Sequence, residues 1–183
     1  MKQSIGERIT VSKKDAETII RIDGTVESWM NHALFGWVIM WSLTGLYVVY
    51  FLSAGQVKGE QLFFFLTYLT FWGYFEYKSI YSWLFRVRGY ELIKIAPDAI
   101  YIKKAVFSFG KVQRYVRENI NEMRKLDQYD RSLAAVYNKS FWVVGNEQIV
   151  FQYLSKNVGM GMHLNDKDAQ ALLTLVRKTL KKK

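Results

Sequence analysis

Twenty consecutive residues without a charge, Ala33–Leu52, constrain this chain more than any other feature. At ~1.5 Å rise per residue they make about 30 Å of helix, the thickness of a bilayer's hydrocarbon, so a membrane-spanning helix is expected here. The alternative is a buried helix of a soluble core. Such helices usually carry a polar stripe, and this one offers only Ser42 and Thr44. A secretory signal would be shorter and nearer the N-terminus, although Ser53-Ala54-Gly55 imitates a cleavage site.

A second apolar run begins at Gln61 and passes through Phe63-Phe64-Phe65 and Trp72 to Phe75, where Glu76 and Lys78 interrupt it. Extended through Ile80, Tyr81 and Trp83 it reaches spanning length, with Lys78 snorkelling to water and its Tyr and Trp residues at the interface. Glu76 then sits just below the headgroups, either exposed or protonated there or paired with a basic group of a neighbouring helix. The short link from Ser53 to Gln61 makes the two helices antiparallel neighbours, with Gly36, Gly45 and Gly73 as points of close backbone approach.

Charge is distributed to match. Residues 33–75 hold only Lys58 and Glu60, whereas residues 86–183 hold 19 Lys/Arg against 9 Asp/Glu and account for the whole net charge of +10. Basic residues following the second helix place both termini on the cytoplasmic side by the positive-inside rule, predicting a multi-pass protein of the inner membrane. Three segments follow: residues 1–30 as a cytoplasmic N-terminal segment, 31–85 as a transmembrane hairpin, and 86–183 as a cytoplasmic domain. Within the first, Ser12–Asp23 reads either as a short capped helix or as a strand through Ile19–Ile22.

From Glu91 the apolar period changes to two. Pro97-Asp98 predicts a tight turn between one strand ending near Ala96 and another over Ala99–Val106. Lys111–Arg117 alternates as a further strand, and Ile120, Met123 and Leu126 suggest a less regular one. A hairpin is expected from Phe141–Val144 through Gly145-Asn146-Glu147 to Gln148–Tyr153, then a strand over Val158–His163. The last element is an amphipathic helix: Asn165 caps it, Asp166 and Asp168 lie in its first turn, and Ala169, Leu172, Leu173, Val176 and Leu180 recur at helical spacing. Its cationic end, through Lys181, Lys182 and Lys183, suits the helix dipole.

A two-helix hairpin followed by short antiparallel strands and one closing helix resembles the bacterial pleckstrin-homology-like (PH-like) membrane proteins over residues 33–180. The stretches that carry the resemblance are Phe71-Trp72-Gly73-Tyr74-Phe75-Glu76 through Trp83-Leu84-Phe85 to Gly89-Tyr90-Glu91, and Phe141-Trp142-Val143-Val144-Gly145 to Ile149-Val150-Phe151-Gln152-Tyr153 and Gly161. It implies a membrane α+β protein: a transmembrane hairpin followed by a PH-like antiparallel β-barrel or sandwich closed by a C-terminal amphipathic helix. It also implies that the module is an interaction surface. Two departures stand out. Lipid-binding eukaryotic members cluster Lys and Arg at the first hairpin loop, where this chain has Ala96-Pro97-Asp98-Ala99, and they carry a Trp in the closing helix, where Asn165–Lys183 has none.

Catalytic chemistry finds little support. The absence of Cys excludes a thiol nucleophile, a disulfide framework and thiolate metal sites. His32 and His163 are the only histidines; His32 as a haem or chlorin ligand is weaker than His32 as an interfacial residue, and His163 reads as a partly exposed strand residue. Gly159-Met160-Gly161 lacks the Lys and Ser/Thr of a phosphate loop, and Glu118 and Glu122 have no partner nucleophile. No catalytic residue, metal site or cofactor is assigned. The intramembrane polar residues are His32, Glu76 and Lys78, and the cations placed to meet anionic lipid headgroups are Lys103, Lys104, Lys111, Arg114 and Arg117. The expected function is a non-catalytic inner-membrane scaffold or accessory subunit of a larger complex, contacting other integral membrane subunits and no nucleic acid. An anionic-lipid sensor and a cofactor-bearing electron-transfer or light-harvesting subunit are the alternatives.

Overall fold

The computed structural model describes all residues except 1, 15–16, 26–27, 56, 127–143, 145–146 and 182–183. The expected strand at Phe141–Val144, its turn at Gly145-Asn146 and the tail residues Lys182 and Lys183 therefore fall, but for Val144, outside the described residues.

Three strands open the chain: β1 (Lys2–Ile5), β2 (Ile9–Lys14) and β3 (Glu17–Asp23). Two long helices follow, α1 (Ser28–Ser53) and α2 (Glu60–Arg88), and then β4 (Gly89–Ile95), β5 (Ala99–Val106) and β6 (Val112–Val116). These six strands make one antiparallel sheet in sequence order. β7 (Ile120–Lys125), β8 (Glu147–Tyr153) and β9 (Lys156–Met162) form a second sheet, and α3 (Asp166–Lys181) ends the chain. Of the two readings of Ser12–Asp23, the strand is the one adopted, because Ile20 and Ile22 alternate inward and pair with Ile93 and Glu91 of β4.

The β3–β4 pairing defines the architecture. These strands are adjacent and antiparallel, so the helical pair is an insertion between two neighbours of one sheet. Ile9, Val11, Ile20, Ile22, Ile93 and Ile95 line the inner face of that sheet and pack with Ile149, Phe151 and Met160 of the second sheet under Leu172, Leu173 and Val176 of α3. The α3 cap forms as its sequence requires: the Asp168 amide donates to Asn165 Oδ1 at 2.7 Å, and Asn165 Nδ2 donates back to Asp168 at 3.0 Å. The Pro97-Asp98 turn closes β4 onto β5 through the Ala96 amide, 2.9 Å from the Ala99 carbonyl.

Two expectations are corrected. Among the described residues only α1 is long and apolar enough to cross a membrane, so the two-helix transmembrane hairpin is not supported, and with it the multi-pass inner-membrane topology with both termini cytoplasmic. The physical reason lies in α2, whose Glu76, Ser79, Ser82 and Arg86 are buried against protein while Glu60, Lys78 and Arg88 add further charge along its length. The closed PH-like barrel is replaced by two open sheets of six and three strands, because β1–β3 extend the first sheet from the N-terminal side.

Candidate functional site

Two features could bear function, the outer surface of the helical pair and the polar belt that roots it in the sheet. α1 and α2 are antiparallel neighbours held by few but specific contacts. Trp72 lies so close to Gly45 that an added Cβ would come within 1.9 Å of the indole, and its Nε1 donates to the Trp41 carbonyl at 2.9 Å. Gly45 is thus a point of close approach, whereas Gly36 and Gly73 have open space where a Cβ would stand. Phe35 stacks on Trp83, and Phe51 meets Phe65 edge-on. Glu76 is buried between the helices and accepts a hydrogen bond from Ser42 Oγ at 2.5 Å; its Oε2 has no hydrogen-bond partner among the described residues. The neighbouring helix thus meets Glu76 with a hydroxyl.

The opposite faces are bare. α1 buries only Leu34, Val38 and Gly45, while Tyr47, Tyr50, Phe63, Phe64, Phe71 and Tyr77 of the two helices stand exposed, Phe64 at 67%. Exposed aromatic side chains in this number along one helical pair are unusual for a folded domain that buries its apolar residues. His32 lies exposed at the start of α1, its Nδ1 donating to the Ser28 carbonyl at 2.8 Å. Lys78 approaches the Tyr74 ring, 5.7 Å from its centroid.

At its C-terminal end α2 enters the domain. Gly24 and Gly89 straddle Phe85: an added Cβ on either would fall 2.4 or 2.3 Å from the Phe85 carbonyl oxygen. The Gly24 amide donates to the Gly89 carbonyl at 2.9 Å, which closes the neck where α1 begins and α2 ends. Phe85, Val106 and Met162 form a small apolar cluster there, separate from the main core.

Between that cluster and the core runs a polar belt. Glu91 is fully buried, and the amides of Gly161 and Met162 donate to its Oε2 at 2.9 and 3.0 Å. Gly161 adopts φ +77, a conformation that glycine takes without strain, where both amides meet the carboxylate. Beside Glu91 in the sheet register is Lys104, whose Nζ lies 2.6 Å from Glu147 Oε1. Burial pushes the Glu91 carboxyl up, against the pull of Lys104 and the two amides. Lys104 is held above its ordinary value: desolvation works against its charge, but Glu147 and Glu91 prevail. Glu147 is held below its own, since Lys104 outweighs the effect of burial. His163 is pushed down to about 4 by burial and then by the nearby Arg86 and Arg8, so it is neutral at pH 7. Arg8 clamps the belt from β2's edge, donating from Nη1 to the His163 carbonyl and from Nε and Nη2 to the Asp23 carbonyl.

The cations expected to meet lipid are divided by this geometry. Lys103 and Lys111 lie toward the root of the helices, the former donating from Nζ to the Ser108 carbonyl at 2.9 Å. Lys104 faces the belt. Arg114 and Arg117 lie at the other end of β6, tied to Asp98 and the Pro97 carbonyl. Glu91, Arg8 and Glu147 were missed by sequence reasoning. Parity could have found Glu91 and Lys104, because Glu91 shares a face with Ile93 and Ile95, and Lys104 with Ile100 and Ile102. Arg8 meets the belt only through pairing across the whole chain, and nothing local marks it. Among the described residues no group of three His, Asp or Glu is placed to hold a metal. No known protein family matches the chain, and no curated protein matches it in sequence.

Proposed function

We propose that this protein is a non-catalytic, membrane-associated scaffold or accessory subunit whose helical pair packs on apolar helices of a partner while its two-sheet domain presents a second surface. The observation that carries this reading is the exposed aromatic surface of α1 and α2, joined to a domain whose own core is complete without it. Aromatic side chains at such density are interface residues, gaining contact area at low cost in side-chain freedom. Among the described residues α1 alone meets the length and composition of a spanning helix, which supports a membrane-associated setting. The belt around Glu91 supports the same reading as a rigid mount: Glu91 Oε2 is held by two backbone amides and Lys104 by Glu147, although Glu91 Oε1 is buried without a hydrogen-bond partner among the described residues.

The test is site-specific photocrosslinking in intact membranes. A photoreactive phenylalanine analogue at Phe64 should give a discrete adduct to one integral membrane protein, and the same analogue at Tyr101, on the outer face of the sheet, should not. An adduct pattern identical at the two positions, or release of the full chain from membranes by alkaline carbonate, overturns the proposal.

A further inference from the structure

The β5–β6 connection is a two-residue turn whose sequence contradicts its geometry. Val106 and Phe109 exchange both backbone hydrogen bonds at 3.0 Å, leaving Phe107-Ser108 as the turn. Phe107 has φ +57, whereas Ser108 is not among the positive-φ residues, so the turn demands a left-handed residue at its first central position. Glycine is favoured there, and a bulky side chain is strained. The aromatic gains no packing in return: Phe107 is 56% exposed and Phe109 84% exposed. Leu154 in the β8–β9 turn is likewise exposed with φ +45, so strain without burial selects no surface by itself, and what sets the Phe107 tip apart is its location beside cations and the helices.

That location is specific. The Phe107 amide donates to the carbonyl of Arg88, the last residue of α2, and Gly89 is hydrogen-bonded to Gly24 just before α1. The aromatic tip therefore stands at the root of the candidate spanning helix. Lys103 is hydrogen-bonded to the Ser108 carbonyl, Lys111 follows two residues after Phe109, the Phe107 amide meets the backbone of Arg88, and no acidic residue lies between Lys103 and Arg117 in sequence. Two exposed rings flanked in sequence and register by cations have the composition of an interfacial anchor, with rings at the acyl boundary and cations among anionic headgroups.

We propose that the Phe107–Phe109 turn is a membrane-insertion tip that docks the two-sheet domain onto an anionic bilayer surface. The inference rests on the membrane setting proposed above and adds how the domain is oriented on it: the root end of β5 faces lipid and the Pro97-Asp98 end faces water. Phe107 and Phe109 supply the apolar contact, and Lys103 and Lys111 make it depend on lipid charge and salt.

The chain has no Cys, so single thiols can be introduced and spin-labelled in the full-length protein. Labels at Ser108→Cys, Ser155→Cys and Leu46→Cys are read in reconstituted vesicles of phosphatidylcholine with and without phosphatidylglycerol. Collisions with oxygen and with a water-soluble nickel chelate, present on both sides, measure lipid immersion. Leu46 reports on α1, and Ser155, in the β8–β9 turn, serves as the aqueous control. The expected result is immersion at positions 46 and 108 but not 155, with position 108 depending on phosphatidylglycerol. Lys103→Gln and Lys111→Gln should each lower the docked-to-undocked ratio roughly fivefold. Phe107→Gly should release the label at 108 into water while leaving thermal stability unchanged or raised, since glycine relieves the left-handed strain; Phe109→Ser provides a second variant that keeps the turn. A label at 108 equally exposed to chelate with and without anionic lipid, while position 46 stays immersed, overturns the tip and spares the membrane reading. Exposure at 46 as well overturns both.

Discussion

The helical pair and the two-sheet domain draw on the same apolar residue types and dispose of them in opposite ways. In the domain, Ile9, Ile20, Ile93, Ile149, Phe151 and Leu172 are fully buried in one core. In the pair, α1 buries three residues of twenty-six, and the rings of Tyr50, Phe63 and Phe64 point away from protein. Apolar content therefore does not fix burial. Topology does: a helical pair inserted between adjacent strands meets the domain's buried interior where α2 crosses the neck at Phe85, in a small cluster apart from the main core, and the outer surface beyond must find its burial elsewhere.

The largest expected effect breaks this comparison directly. Phe151→Ala, at the centre of the core and in edge contact with Tyr115, should cost about 3–5 kcal/mol in denaturant unfolding of the detergent-solubilised chain. Phe64→Ala removes a side chain of the same size from the pair and should change stability by less than about 0.5 kcal/mol, because its ring is exposed in the isolated chain. Equal losses would mean that the aromatic surface is already covered within the protein, and the scaffold reading would lose its foundation.

A smaller effect sharpens the comparison inside the pair. Gly45→Ala sets a methyl against the rigid Trp72 indole and should cost about 1–3 kcal/mol, as overpacking does. Gly36→Ala meets open space and should be neutral or stabilising, given the higher helix propensity of alanine. Differential scanning calorimetry of the two variants separates a helix pair held by one close contact from one held loosely along its length. If both glycines tolerate alanine equally, the Gly45–Trp72 contact is not what fixes the pair.

How much of this could be read from the residues depends on the range of each interaction. Local signals were legible: the charge-free run became α1, Pro97-Asp98 became the β4–β5 turn, and Asn165 became a reciprocal cap. Features that depend on distant pairing were not. Ile20 lies opposite Ile93, over seventy residues away with two helices between them, so nothing local showed that the first strands complete the sheet. The second span failed for a related reason. Glu76 looks like an interruption of a membrane segment in one dimension, and only the folded helix pair shows it buried against Ser42. In the sequence Lys104 reads as a surface cation because its partner Glu147 lies over forty residues away, and the pair meets only when the start of β8 comes to the end of β5.

The smallest effect concerns the belt itself, where opposing titrations leave a modest net dependence on pH. His163 binds its proton at about 4 in the folded chain and near its ordinary 6.5 when unfolded, so between those values the unfolded state holds more protons. Stability from this group is complete above pH 6.5 and is lost as pH falls toward 4. Glu147, held low by Lys104, acts in the same direction from its ordinary value of 4.5 downward. Glu91, raised by burial, acts the other way: the folded state binds its proton more readily, so its contribution grows as pH falls. His163 alone should remove about 2 kcal/mol of stability from pH 7 to pH 5 and Glu91 works against it, so the melting temperature should fall less over that window than His163 alone would make it. His163→Gln removes the first contribution and leaves the Arg8 contact with the backbone carbonyl in place, so its profile should flatten or reverse over that window. An unchanged slope in the variant would show that His163 is hydrated in the folded protein, and the belt would then be open to water at the point where it meets the helices.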